Sequence, residues 1–306
     1  MKILIVCSRN SGHIAPFIRE QVEALGLLGL EMEYCTIQGK GVMGYLRNKK
    51  RLIQSIHDFS PDLIHAHYGL SGLLSNLQKD IPVVTTYHGS DINSNKIYPF
   101  SRINMGLSAF NIFVSEKNRL KSGLKVKQSL IPCGVDTTLF KPMDKATACK
   151  RLGLDAGKKL VLFAGSFNNT VKNARLAKEA VALFPGTELI QLKGYIREQV
   201  VLLLNAVDIL LMTSFTEGSP QIIKEAMSCN CPVVSVAVGD VQDVLAGIQG
   251  CFITTYESKD VAAKLQQALD FGKKTEGRTK ILELGLDSES VAKRILAVYE
   301  EVINGK

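Results

Sequence analysis

The sequence predicts an α/β protein of two doubly wound halves, each a parallel sheet with helices on both faces. Three observations carry this. Short apolar runs alternate with amphipathic segments from one end of the chain to the other. The alternation restarts after Pro142. The length, 306 residues, exceeds one average domain and suits two.

The first half opens on a strand at residues 3–7, a continuous apolar run of the kind buried on both faces of a sheet. A loop at Ser11-Gly12-His13 follows, then a helix over 16–28 with Pro16 at its first position. Strands are expected over 31–36, 63–66 and 83–87, with short ones at 112–114 and 129–131; helices over 45–59 and 70–79. In the second half the strands are 160–164, 189–192, 209–213, 233–238 and 250–253. Helices are expected over 173–184, 200–206, from Ser219-Pro220 onward, 260–271 and 288–303. The joint falls near 141–158, rich in Lys, Asp and Gly, which divides the chain into 1–142 and 143–287.

Composition narrows the function classes. Hydrophobic residues make up 46% and charged residues 22%, as in a globular protein. The longest apolar run, 200–212, is broken by Asn205 and Asp208 and is no membrane span. The opening is too short for a signal peptide and reads as a strand, so a cytoplasmic location is expected. Seven scattered cysteines suggest reduced, buried thiols. Cys229 and Cys231 do not form a common zinc spacing, and His65-Ala66-His67 lacks a third ligand, so no metal is expected.

The net charge of +8 is uneven: residues 1–140 carry 16 Lys/Arg against 10 Asp/Glu, and the rest 21 against 19. A basic first half suits an anionic partner, such as a lipid surface, a lipid-phosphate acceptor or an acidic saccharide. The run Arg47-Asn48-Lys49-Lys50-Arg51 leads into Leu52, Ile53, Ile56 and Phe59 at helical spacing. That is either a basic face for a peripheral membrane contact or the solvated start of a helix. No nucleic-acid-binding module appears.

The most informative stretch is 213–240. Glu217 and Glu225 have seven residues between them and flank a Gly-Ser-Pro helix start after a strand. Ser219 suits an N-cap and Pro220 a first helical position. A helix N-terminus suits a diphosphate, and Gly218 lets the backbone come close to it. Glu225 lies roughly 9 Å along the helix, about the offset of a ribose from the phosphates, where a carboxylate can accept two vicinal hydroxyls.

This arrangement resembles the Glu-x7-Glu signature of the retaining glycosyltransferases of family four. Those have the GT-B fold, two Rossmann-like domains facing across a cleft, and their last helix commonly crosses back to the first domain, here 288–306. Pro132-Cys133-Gly134-Val135-Asp136, with Phe140 and Pro142, is similar to the family segment before the joint and reads as structural. Tyr87-His88-Gly89-Ser90-Asp91 resembles the His-Gly-x-Asp segment. There the histidine hydrogen-bonds a donor-sugar hydroxyl, the part His88 would take. Asp91 would orient its loop or reach the acceptor. Gly12 matches a glycine loop that approaches the donor phosphate, with His13 on the acceptor side.

Gly165-Ser166, followed by Lys172, resembles the strand-loop that opens the donor domain, where most members have Gly-Arg and a downstream Lys that hold the diphosphate. Ser166 replaces the arginine, which leaves Lys172, and Arg175 or Lys193 as substitutes. Gly194 and Tyr195 fall where the family holds the nucleobase, though a half-buried structural tyrosine fits the same position.

The resemblance implies transfer of a hexose-type sugar, with retention, from a nucleotide sugar to a saccharide or lipid-linked acceptor in polysaccharide biosynthesis. The donor would be UDP- or GDP-linked, and no metal or other cofactor would be needed. Lys172 and the Gly218-Ser219 backbone would stabilise the leaving diphosphate, Glu217 would hold the sugar and Glu225 the ribose. Two alternatives stay open: a nucleotide-sugar epimerase on the same fold, and a nucleotide-sugar or polysaccharide-binding protein without turnover, suggested by Ser166.

Overall fold

The first strand, β1 (Lys2–Ser8), shows why a continuous apolar run becomes a central strand. Its side chains alternate between two faces. Ile3, Ile5 and Cys7 pack with Ile18, Val22 and Leu25 of helix Pro16–Leu27 and with Val291, Ile295 and Tyr299 of helix Ser288–Asn304. Leu4 and Val6 pack with Leu52, Phe59 and Leu74 on the other face. Both faces are covered, so neither needs polar residues.

The computed structural model describes residues 1–125 and 127–305. It holds two compact units, Met1–Gly134 with Ser288–Lys306, and Val135–Asp287. The last helix therefore belongs to the first unit. The division lies earlier than the expected 142, because Val135 and Phe140 are buried in the second unit's core.

In the first unit β1 is joined by β2 (Glu31–Ile37), β3 (Leu63–His67), β4 (Val83–Tyr87), β5 (Phe110–Phe113) and β6 (Gln128–Leu130). All are parallel, in the order β2-β1-β3-β4-β5-β6. The second unit has β7 (Lys159–Phe163), β8 (Thr187–Gln191), β9 (Ile209–Met212), β10 (Val233–Val236) and β11 (Phe252–Thr254). They too are parallel, in the order β11-β10-β9-β7-β8. Leu160 and Leu162 face helices Arg197–Ala206 and Gln221–Ser228, while Val161 and Phe163 face Ala174–Val181 and Ser258–Phe271.

Each sheet reverses its order once, between β1 and β3 and between β7 and β9. At such a switch point the following loops diverge and leave a crevice at the carboxyl ends of the strands. The order of the strands therefore locates two candidate crevices.

Several expectations change. The helix over 45–59 is two, Gly41–Leu46 and Lys49–Phe59, broken at Arg47-Asn48, where the Asn48 side chain donates to the backbone of Gln38 and Gly44. The lysine-rich joint contains helix Lys145–Leu152, capped by Asp144 and ended at Gly153 with φ 69°. Helices Ser90–Asn93, Tyr98–Leu107, Glu116–Ser122, Val241–Leu245 and Gly277–Glu283 were not anticipated. They are short, and their apolar residues show no sustained period.

Candidate functional site

At the second switch point the loop after β7 meets the loop after β9. Lys172 ends a 3₁₀ turn, Thr170–Lys172, and Asn173 follows with φ 54°. The Thr213 hydroxyl pins this corner by hydrogen bonds of 3.0 Å to the carbonyls of both residues. The Lys172 Nζ donates to Glu217 Oε1 at 2.7 Å, in a pair only partly open to solvent. The stem of Lys172 lies over Gly165, where a Cβ would come within 2.7 Å of its Cγ. A glycine is required there, and Ser166 follows it at the turn with no cation. Arg175 instead pairs with Glu179 on the exposed side of its helix, and Lys193 is exposed.

The helix after this turn begins at Gln221, with Pro220 as N-cap in an extended conformation. Ser219 is therefore not the cap. Its hydroxyl is engaged by the Asp240 carboxylate and by Lys224 Nζ at 2.6 Å. Gly218 is approached from behind by Gly239, whose φ is +60° and where a Cβ would lie 2.3 Å from the Gly218 carbonyl oxygen. Glu225 is 3% exposed. Arg197 Nη1 donates to its Oε1 at 2.8 Å, and the guanidinium lies 4.5 Å over the Phe140 ring. Burial raises the Glu225 carboxyl above its ordinary range, and Arg197 opposes the rise. Glu225 is thus held by a cation in addition to any hydroxyl it receives. At the end of β8, Gly194 turns the chain with φ +82°, and Tyr195 is 38% exposed.

The first switch point lies beside a hollow of about 600 Å³. Its lining comes from the loop after β1 (Asn10, Ser11), Lys40 in the loop after β2, Tyr45 on helix Gly41–Leu46, Tyr68 after β3, and Asp91. Gly12 has φ +89° and closes a turn onto the Arg9 carbonyl; His13 is exposed. Asp91 is 3% exposed and accepts the backbone N–H groups of Gly69, His88 and Gly89 at 2.9–3.1 Å. Its carboxylate thus ties the backbone after β3 to the backbone after β4. Burial pushes its carboxyl up to about 6 against those donors.

His88 Nε2 is 3.0 Å from His67 Nδ1, and His88 Nδ1 is 3.7 Å from Cys133 Sγ. His67 stacks in turn on His65, which bonds Tyr299 Oη at 2.5 Å and Thr86 Oγ1 at 2.7 Å. The two histidines of the His-Ala-His run are thus interior partners. Among the described residues no group of three or more His, Cys, Asp or Glu is placed to hold a metal ion.

Both halves of the chain match glycosyltransferase family models. Residues 32–139 match the model described as Glycosyltransferase Family 4, and residues 159–270 that described as Glycosyl transferases group 1. Both units are glycosyltransferase-type domains. Among curated relatives, TuaC of Bacillus subtilis, named for a teichuronic acid biosynthesis glycosyltransferase, is 26% identical over 239 residues. That alignment covers 67% of this chain and 60% of the relative. A D-inositol 3-phosphate glycosyltransferase of Mycobacterium marinum is 24% identical over 259 residues, covering 68% and 55%. The chain thus spans less than two thirds of the length of these relatives.

The fold is that of GT-B proteins. Sucrose-phosphate synthase from Thermosynechococcus elongatus superposes with a TM-score of 0.87 at 18% identity, covering all of both chains. HepE of Anabaena in complex with UDP gives 0.79 at 17%, covering 98% of this chain and 100% of that one.

In the group 1 domain, sequence reasoning missed Arg197, Lys224 and Asp240. Their partners are 28, 5 and 21 residues away, and only the fold brings the two distant ones together. It also missed an exposed aromatic pair beside Glu217. Phe215 and Tyr256 stack with ring centroids 5.7 Å apart, and the Tyr256 hydroxyl donates to the Ser214 carbonyl at 2.9 Å. In the family 4 domain, His67 was noted only as half of a possible metal pair; its contact with His88 had no signal in one dimension.

Proposed function

We propose that the protein is a retaining glycosyltransferase that moves a hexose-type sugar from a nucleotide sugar to a saccharide or lipid-linked acceptor. The observation that carries this is the Lys172–Glu217 pair at the switch point of the second sheet, with buried Glu225 in the helix behind it. The names of the relatives and the UDP held by HepE support a nucleotide-sugar donor.

The chemistry asked of the site is modest. The bond from the anomeric carbon to the diphosphate oxygen breaks, and a bond from the acceptor oxygen to that carbon forms on the same face. The acceptor proton passes to the departing phosphate. An ammonium has three donors, so Lys172 can hold Glu217 and a phosphate oxygen together. Aimed at charge that develops as the bond breaks, it contributes more to the transition state than to the ground state. Glu217 holds the sugar, Glu225 a ribose hydroxyl, and Gly194 and Tyr195 the base edge. These groups suffice without a divalent ion, so a chelator should leave turnover intact.

No described helix is long and apolar enough to cross a membrane. A lipid-linked acceptor would be met from the surface, by Arg47, Lys49, Lys50 and Arg51 beside Met43, which is 67% exposed. Of the apolar residues that follow the basic run, Leu52, Ile56 and Phe59 turn to the core, which leaves Ile53, together with Met43 ahead of the run, for the lipid.

The test is proton NMR of UDP- and GDP-hexoses with the protein and candidate lipid or saccharide acceptors. Acceptor-dependent release of the nucleotide, with a product anomer matching the donor, is expected. Conversion of the donor without acceptor would replace this reading by an epimerase. Binding without turnover would replace it by a carrier.

A further inference from the structure

Lys224 is 1% exposed on the helix that carries Glu225, among Ile223, Ala226 and Met227. An ammonium in such a place is costly unless its partners compensate, and an apolar side chain would fill the space more simply. Its position is set by polar partners. Lys224 can only donate, so the Ser219 oxygen accepts from it, and the Ser219 hydroxyl proton goes to the Asp240 carboxylate. Asp240 is half-buried, and Lys224 is the charge that opposes the effect of burial on it. Beside it, Gly239 leaves room for the Gly218 carbonyl oxygen where no other residue could. The turn that links Glu217 to the helix is therefore held from two sides, by the second helical turn and by the loop after β10.

We propose that Lys224 and Asp240 are positioning residues, which through Ser219 fix the Glu217–Pro220 turn in the shape that receives the diphosphate of a nucleotide. The inference rests on the nucleotide-sugar reading above. With Ser166 at the turn after β7, no arginine there can draw the diphosphate in, so the group 1 domain relies more on a preformed turn. Two charges that neutralise each other inside the domain leave the local net charge unchanged while orienting one hydroxyl and one stretch of backbone. Lys224→Met alone leaves the Asp240 carboxylate without its opposing charge; Lys224→Met with Asp240→Asn removes both charges and keeps the volume.

The experiment is calorimetric titration with UDP, GDP and ADP, alongside thermal melting, for wild type and these two variants. The double variant should melt near wild type, yet bind the preferred nucleotide about tenfold more weakly, since a displaced turn loses alignment. Its KM for the donor should rise more than its kcat falls. A double variant with wild-type melting and wild-type affinity would overturn the proposal. Should the double variant fail to fold, Lys224→Arg and Lys224→Gln decide. The arginine keeps the charge and should bind within about threefold of wild type, and the glutamine should not; equal affinities would overturn the proposal. A wild type that binds none of the three nucleotides would overturn the nucleotide-sugar reading and this inference with it.

Discussion

The environment of Lys172 fixes what removing it should do. Its pair with Glu217 is partly exposed, and pairs of that kind add little to stability. Lys172→Met should therefore leave the melting temperature nearly unchanged. It should lower kcat about 100-fold, the scale of losing one donor aimed at developing negative charge, as read from steady-state release of the nucleotide. Glu225 differs because it is buried against Arg197. Glu225→Gln keeps the volume but leaves a guanidinium facing an amide, so both stability and nucleotide affinity should fall. Melting and titration with the nucleotide check the two effects separately. Glu217, Glu225 and Lys172 were legible because each sits in a local pattern of turn and helix start. Arg197 and Asp240 were not, because a strand crossing or a helix separates each from the residue it serves. The cap was misplaced by one residue because serine at a helix start usually caps, and nothing in the local sequence shows that Asp240 will claim its hydroxyl.

Among the elements, the loops after β3 and β4 depend on Asp91. Three backbone N–H groups converge on its carboxylate. Asp91→Ala strands them in the interior, at a cost of about 3 kcal/mol or more, and chemical denaturation should show that loss. Strands β3 and β4 carry a second device with a clear sign. Burial pushes His65 down to about 3 and His67 well below its ordinary range, so both are neutral when folded. In the unfolded chain each takes a proton below about pH 6.5. Their contribution is complete above pH 6.5 and is lost as the pH falls toward 3. Asp91, raised to about 6, acts oppositely and adds stability as the pH falls from 6 toward 4. Among these three groups the unfolded state gains the extra proton as the pH falls, while Glu225 and Asp240, also raised by burial, work with Asp91 against the histidines. Melting curves between pH 4 and 7 measure the balance, and His67→Gln should shift it toward the carboxyl groups. The strands themselves were easy to read, because apolar runs of four to six residues between polar segments have few other fates. The short helices were not, and the break at Asn48 depends on side-chain bonds to Gln38 and Gly44 that no helical period reveals.

For the whole molecule, the alternation of strand and helix was enough to give two parallel doubly wound sheets, and strand order then fixed where the crevices lie. The sequence placed the joint too late, because the Lys-rich stretch looks like a linker, whereas Val135 and Phe140 are already core of the group 1 domain. The last helix belongs to the first unit, with Val291, Ile295 and Tyr299 buried beside β1. Ending the chain at Asp287 should therefore uncover Ile18 and Leu25 and unfold the family 4 domain, which limited proteolysis would detect. A nucleotide held at the second switch point should stabilise the folded chain. Thermal melting of the full chain with UDP, GDP and ADP, in wild type and in Glu225→Gln, tests this most directly. One nucleotide should raise the melting temperature of wild type, and the gain should shrink in the variant. No shift with any of the three would contradict a nucleotide site there.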